Sequence, residues 1–409
     1  MFRIPNIQEQ LQGLDKITLD VIDDQEIGFM LKDKWKENWE KIDKISIKNS
    51  FCTIKFIESL AASPFSEKLR ELNLSQNFQT VNDNFVQVIY HSKYLKNLQC
   101  IDFSDTDISD YSLELIGSET SDNFKFLNKL ILYGCLFISD QGIQYLSECE
   151  HFQQNTSLQR SNLSDLQPNF YGIKYLDLRS TGITDTSIKL IAKSDSFRFL
   201  EYLDLSLNEN NITDIGMNYF RDDQDNKDVE ETKIYRLKVL KLENCRITDQ
   251  GVLNLTRSKC MTQLEELDIS NSMQMQNQHN KITSRSLELL TSPNCEILGL
   301  KKLNLRATLI DSRGLQLYVN SENSQELEEI RVTFTNINSQ FLYDVIDQSD
   351  KNLKKLKKIS INDTLIDDKD IKHFLASCPN IELIYSSTVN FTRQEIQKEI
   401  DTIKQFKDF

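Results

Sequence analysis

Aspartates recur in the short apolar segments Leu176-Asp177-Leu178, Leu203-Asp204-Leu205 and Leu267-Asp268-Ile269. A carboxylate held between apolar neighbours is a residue type that general acid–base chemistry uses. Nucleophilic or metal chemistry would draw on eight cysteines and four histidines. His151 stands two residues after Cys149 and makes a weak metal pair, but no Cys-x-x-Cys occurs, and His91, His279 and His373 are scattered. That pattern offers no zinc site. There is no Gly-rich phosphate loop, no G-x-S-x-G and no H-E-x-x-H. The acidic run Asp222, Asp223, Asp225, Asp228, Glu230 and Glu231 lacks the glycine that a calcium loop needs at its sixth position, so it reads as a solvated loop. No nucleophile, base and orienting group come together. The expectation is a chain with no catalytic residue, no metal, no cofactor and no small-molecule substrate.

The elements that carry these residues repeat. An apolar residue, two variable ones, an apolar, one variable and an apolar recur from Leu14, Ile42, Leu69, Leu98, Leu127, Ile173, Leu200, Leu237, Leu264, Leu300, Leu327, Leu356 and, degenerately, Ile381 with Ile384. The unit is about 27 residues, so the chain reads as one solenoid of about thirteen units. Each segment alternates and is a short strand with one face buried. Its recurrence makes Asp177, Asp204 and Asp268 solvated residues of that sheet's open, concave face. Further on stand Asn82, Ser109, Ser139, Thr184, Thr213, Thr248, Thr283, Asp311, Asn338 and Asp367, all preferred helix N-caps. Apolar pairs such as Ile143/Leu146 and Val252/Leu255 then mark a helix. Strand and capped helix in alternation predict an α/β fold with parallel strands.

One slot between strand and helix holds Asn77, Thr106, Cys135, Thr181, Asn208, Cys245, Ser272, Thr308, Thr335 and Thr364. Small side chains able to hydrogen-bond suit a buried turn, and the slots would stack into a ladder. Cys135 and Cys245 are therefore structural. Cys260, Cys295 and Cys378 precede new strands and are expected to be buried there. Glycine (11) and proline (5) are scarce, so asparagine, aspartate and serine must build the turns.

The pattern resembles the leucine-rich repeat family, most closely its ribonuclease-inhibitor-like and cysteine-containing subclasses. LKVLKLENCRITDQGVLNL (237–255) and IKYLDLRSTGITDTSIKLI (173–191) carry the resemblance, which covers about residues 14 to 400. It implies a horseshoe-shaped solenoid with a concave parallel sheet and convex helices, and a binding scaffold whose partner the family does not specify.

Residues 1–40 read as an N-terminal cap with a first degenerate repeat, and Trp35 and Trp39 lie within it. Residues 41–380 are the solenoid, with insertions near 149–170, 221–235 and 273–280. Residues 381–409 are a degenerate last repeat and an amphipathic capping helix. Lysine and arginine number 48 against 62 aspartate and glutamate, a net charge of −14, which disfavours nucleic acid and anionic membranes. No apolar run approaches the ~20 residues that span a bilayer, and the start shows no secretory signal. The expected partner is a protein, met on the concave face or the edge loops. Ile131, Tyr133, Tyr175, Asp177, Tyr202 and Asp204 are the central candidates, and Arg306 and Arg331 extend a basic bias toward the C-terminal half. The three tyrosines are expected to form one continuous patch. The expected role is a cytoplasmic scaffold, a structural or regulatory subunit of a cytoskeletal or axonemal assembly. A ubiquitin-ligase substrate receptor and a GTPase regulator are the alternatives, although residues 1–40 lack the L-P-x-x-L start of an F-box.

Overall fold

Each apolar segment folds into a strand of three residues centred on its second leucine or isoleucine, with the first two strands longer. In the computed structural model, residues 16–20, 42–50, 53–120, 122–153, 172–209, 211–221, 231–272, 280–385 and 397 are described. The chain divides into two compact units, residues 1–203 with 233–235, and 204–232 with 236–409. The first carries β1 (Lys16–Asp20), β2 (Lys44–Lys48), β3 (Glu71–Asn73), β4 (Cys100–Asp102), β5 (Lys129–Ile131) and β6 (Tyr175–Asp177). The division falls within β7 (Tyr202–Asp204). The second carries β8 (Val239–Lys241), β9 (Glu266–Asp268), β10 (Lys302–Asn304), β11 (Glu329–Arg331), β12 (Lys358–Ser360) and β13 (Glu382–Ile384).

Pairing is parallel and in chain order. In the first unit Ile45, Leu72, Ile101, Leu130 and Leu176 lie in one row. In the second the row is Leu240, Leu267, Leu303, Ile330, Ile359 and Leu383. The last strand corrects the expected register. Leu383, not Ile384, takes the inward position, and Ile384 pairs with Ser360. A one-residue shift exchanges the two faces, and pairing with β12 decides it where the sequence pattern is weak.

The expected N-caps form at eight of the ten positions, and at Asn338 the cap position itself falls on the next residue, Ser339. Asn82, Ser109, Ser139, Thr184, Thr213, Thr248 and Thr283 each accept a hydrogen bond from the N–H two residues on. Asp311 accepts from Gly314 N, and Asn338 Oδ1 from Gln340 N at 3.1 Å. Asp367 makes no such bond.

A second set of bonds links each helix start to the next. Asp83, Asp110, Asp140, Asp214 and Asp249 are the first residues of their helices, and each carboxylate accepts the backbone N–H and the hydroxyl of the following repeat's N-cap residue. From Ser284 onward the chemistry reverses. Ser284 Oγ donates to Asp311 Oδ1 and accepts from Asp311 N, and Ser312 does the same with Asn338. At Ser109-Asp110, Ser139-Asp140 and Thr248-Asp249 this ladder is written in the sequence as a hydroxyl beside an acid, of which the capping pattern accounts for only the hydroxyl.

A residue in the left-handed region ends almost every strand. Asn49, Gln76, Asp105, Gly134 and Ser180 occupy it in the first unit, and Leu207, Asn244, Ala307, Phe334 and Asp363 in the second, with φ between 49° and 72°. The N–H groups of all of these but Ser180 and Asp363 are seen donating to the next repeat, as Gln76 N does to Ser104 O at 2.7 Å and Gly134 N to Arg179 O at 2.9 Å. That bond holds non-glycine residues where a β-carbon costs about 1–2 kcal/mol. Ser180→Gly is therefore expected to raise stability by about 0.5–1 kcal/mol. A higher urea midpoint checks it, and a fall would show that the Ser180 side chain supports the turn. Gly134 is different, because a β-carbon there would sit 2.3 Å from Asp105 Oδ1.

The buried slot forms as expected over most of its length. Thr106, Thr181, Asn208, Thr308, Thr335 and Thr364 each donate to the carbonyl three residues back. Cys135 Sγ reaches Phe103 O at 3.0 Å and Cys245 Sγ reaches Leu205 O at 3.3 Å. Cys260, Cys295 and Cys378 are buried too. Ser272 departs from expectation. Asn280 takes its slot, donating to Leu242 O at 2.6 Å, Ser270 O at 3.0 Å and Ile269 O at 3.3 Å. Asn271 and Asn280 also bond each other reciprocally, Asn280 N to Asn271 Oδ1 at 2.8 Å and Asn271 Nδ2 to Asn280 O at 3.0 Å. The extra residues thus leave and rejoin the repeat at one clamp, which moves the slot eight positions along the sequence.

The other insertions begin or end inside the core. Cys149 is buried, Glu150–Gln153 form a helical turn and Phe152 is buried, so 149–153 belong to the packed repeat. Thr232 and Ile234 are also fully buried, and Lys233 N donates to Ala192 O at 2.7 Å. Residues 154–171, 222–230 and 273–279 lie outside the described residues, as do Trp35, Trp39 and, apart from Gln397, the expected terminal helix.

Candidate protein-binding face

On the open side of the first unit's sheet, pairing sets Lys129 beside Tyr175 and Ile131 beside Asp177. Tyr202 N donates to Lys174 O at 3.0 Å, which brings the next strand's ring alongside. The Tyr175 and Tyr202 rings stack, with centroids 3.9 Å apart and planes 6° from parallel. Lys129 Nζ lies 4.1 Å from the Tyr175 centroid. Ammonium and two rings form one pile, held by the strand register and by cation–π attraction. Lys129 takes part in no ion pair among the described residues. Ile131 is half-buried beside this pile.

Tyr133 lies elsewhere. It is four residues beyond Lys129, and its ring meets the Arg179 guanidinium at 4.7 Å. The expected continuous patch of three rings is therefore two clusters on one face, a stacked pair with Lys129 and a single ring under Arg179. The position explains the correction, because Tyr133 lies in the turn two residues beyond its strand, whereas Tyr175 and Tyr202 begin theirs.

Asp177 and Asp204 are not solvated. They are 1% and 2% exposed. Asp177 accepts from its own turn at Arg179 N, 3.1 Å, and from the Arg179 side chain, Nε to Oδ1 at 2.9 Å and a terminal nitrogen to Oδ2 at 2.6 Å. Asp204 accepts from Ser206 N at 3.1 Å. Asp268, half-buried, accepts from Ser270 N at 3.0 Å and from Asn304 Nδ2 at 2.7 Å. The strand ends in a tight turn whose N–H two residues on would otherwise lack a partner, and a short carboxylate reaches it. These acids build turns.

Neighbouring Cys100, on β4, faces the same side half-buried. Burial pushes its thiol up to about 11. At neutral pH it stays protonated and is a poor nucleophile.

In the second unit the basic bias is largely cancelled. Arg331 Nε pairs with Glu329 at 2.7 Å, and Glu266 takes both Lys241 at 3.1 Å and Lys302 at 3.5 Å. These residues, with Asp268 and Asn304, line a cavity of about 260 Å³. Arg306 is in none of these pairs, and its guanidinium lies 5.9 Å from the Phe334 ring.

The sequence profile of the family described as Leucine Rich repeat matches residues 237–255, the span of β8 and its helix Asp249–Thr256. Residues 237–255 are thus similar to a leucine-rich repeat, and the parallel strands and helices of the described residues have the fold of a leucine-rich repeat solenoid. No curated protein matches this chain at a significant level. Among solved structures it is similar to an internalin of Listeria monocytogenes at 16% identity and a TM-score of 0.48, covering 94% of this chain and 89% of that one. A leucine-rich repeat protein of Leptospira interrogans gives 15%, 0.43, 93% and 92% for the same measures. The yeast Rad7–Elc1 complex gives 14%, 0.49, 88% and 86%. Among the described residues no helix is long and apolar enough to cross a membrane, and no group of three or more His, Cys, Asp or Glu is placed to hold a metal.

Proposed function

We propose that this protein is a non-enzymatic scaffold that docks a protein partner on the open sheet face of its first unit. The observation that carries the reading is the Lys129–Tyr175–Tyr202 pile. Its rings are ordered before binding, so little side-chain entropy is lost when a partner covers them, and tyrosines of this kind are frequent hot spots. The unpaired Lys129 ammonium offers a site for a partner carboxylate. Arg179, already fixed by Asp177, presents Tyr133 as a second anchor. Asp177 and Asp204 set the shape of the face from below and do not touch the partner. The second unit has candidates of its own: Arg306 would meet a partner acid, and Arg331 would do so by exchanging Glu329.

The reading places the protein as a standing subunit of an assembly, with cytoskeletal and axonemal assemblies as the first candidates. The Tyr175→Ala/Tyr202→Ala double variant tests the face. Each ring is expected to contribute about 2 kcal/mol, so partner co-purification from native cells should be lost while the melting temperature stays near wild type. Retention of every partner by the folded variant would sink the proposal. Cytoskeletal or axonemal subunits recovered with wild type support the assembly reading. Cullin-linked adaptors would support a ligase receptor instead, and a nucleotide-dependent GTPase would support the regulator reading.

A further inference from the structure

The loops that lead from strand to helix in the first unit expose large apolar side chains. Leu136 is 66% exposed, Phe137 61%, Phe78 53% and Tyr111 45%. They share one edge. Phe137 forms a parallel bridge with Ser109, two residues before Tyr111, and Asp107 forms one with Asn82. Gln79 N, next to Phe78, donates to Asp107 Oδ2 at 3.0 Å. Phe78 and Leu136 therefore stand two repeats apart, about 10 Å at the spacing of parallel strands, with Asp107 between them. An exposed apolar tract of this kind on a soluble chain marks a contact surface.

The charges carried by the loops that bear the tract are of one sign. Asp83, Asp105, Asp107, Asp110 and Asp140 belong to the same loops and helix starts, and none of them is in an ion pair among the described residues. The hydrogen bonds that Asp83, Asp110 and Asp140 accept come from neutral hydroxyls and backbone N–H groups, which bring no positive charge to the edge. The loops between 75–84, 104–111 and 133–141 contain no lysine or arginine. Burial and the neighbouring Asp102 raise the Asp105 carboxyl above its ordinary range, against the opposing pull of Lys48 and Arg179.

We infer that this loop edge of the first unit is a second docking surface, for a basic segment of a protein partner that carries apolar anchors. Leucine or aromatic side chains would cover Leu136, Phe137 and Phe78, and lysine or arginine would meet Asp107 and Asp105. The surface is separate from the sheet face proposed above and does not depend on it.

The test uses the full chain and three labelled peptides in fluorescence anisotropy: an amphipathic helix of leucine and lysine, a scrambled peptide of the same composition, and the same helix with glutamate for lysine. Wild type is expected to bind the amphipathic basic helix about tenfold tighter than the scrambled one and not to bind the acidic one. Leu136→Ser/Phe137→Ser should lose about tenfold in affinity with an unchanged melting curve, because both side chains are exposed. Asp107→Asn should weaken binding more than Glu322→Gln, which removes one charge from an exposed residue of the second unit. Tyr175→Ala/Tyr202→Ala should bind the peptide as wild type does. Equal binding of basic and scrambled peptides, or no effect of the double serine variant, overturns the inference. So does a concentration-dependent dimer that the double serine variant abolishes, since a second copy would then be the occupant.

Discussion

Asp140→Ala is expected to lower stability by about 3 kcal/mol, while Asp140→Asn costs about 1 kcal/mol. The Asp140 carboxylate receives Thr184 N at 2.9 Å, Thr184 Oγ1 at 2.6 Å, Ser187 N at 3.0 Å and the Ser187 hydroxyl. Alanine leaves all four donors without an acceptor at a half-buried helix start, and hydrogen bonds to a charged acceptor are worth about 1.5–3 kcal/mol each, though not additively. Asparagine keeps one oxygen for the two N–H groups. The interaction also spans the longest interval between repeats, so it sets the register across the segment that includes 154–171. Urea midpoints of the two variants measure the effect. An alanine variant within about 0.5 kcal/mol of wild type would show that water replaces the carboxylate without loss.

Cys135→Tyr is expected to prevent stable folding of the first unit, whereas Cys135→Ser costs about 1–2 kcal/mol. The thiol is fully buried and lies between Phe103 O at 3.0 Å and Thr106 Oγ1 at 3.7 Å. A serine hydroxyl can make the same bonds with a shorter reach. A phenol ring has no space between two stacked turns. Burial pushes the Cys135 thiol up to about 12, so it should resist alkylation at neutral pH until the chain unfolds. Equal unfolding midpoints for the serine and tyrosine variants, or rapid native labelling of Cys135, would contradict the buried-ladder reading.

The repeat was legible in the sequence because strand faces, helix caps and slots are local and periodic. Leu72, Ile101 and Leu130 announce their row, and Ser109 and Thr248 announce their helices. What escaped depended on geometry between repeats. Asp177 and Asp204 occupy positions that alternation assigns to solvent, yet their carboxylates fold back onto their own turns. Tyr133 and Tyr175 belong to neighbouring repeats, but only the extent of the strands shows that Tyr175 begins its strand while Tyr133 lies in the turn beyond its own. Ser272 fits its slot by counting and loses it to Asn280, because the Asn271–Asn280 clamp decides where an insertion is spliced out. The left-handed positions went unread since Leu207, Ala307 and Phe334 are not residues that advertise such a conformation.

The reversal of donors and acceptors at Thr283 and Ser284 also constrains how this array can have grown by duplication. Upstream, a carboxylate at a helix start meets a hydroxyl in the next repeat, as Asp249 meets Thr283. Downstream, a hydroxyl meets an acid or amide, as Ser284 meets Asp311 and Ser312 meets Asn338. Units exchanged within one block keep every junction complementary. Excising the unit that holds Thr283 and Ser284 would set Asp249 against Asp311, two carboxylates at one junction with no counter-charge. That unit acts as a gender changer between two incompatible series, so unequal crossing-over could lengthen or shorten the array on either side of it but could not readily delete it.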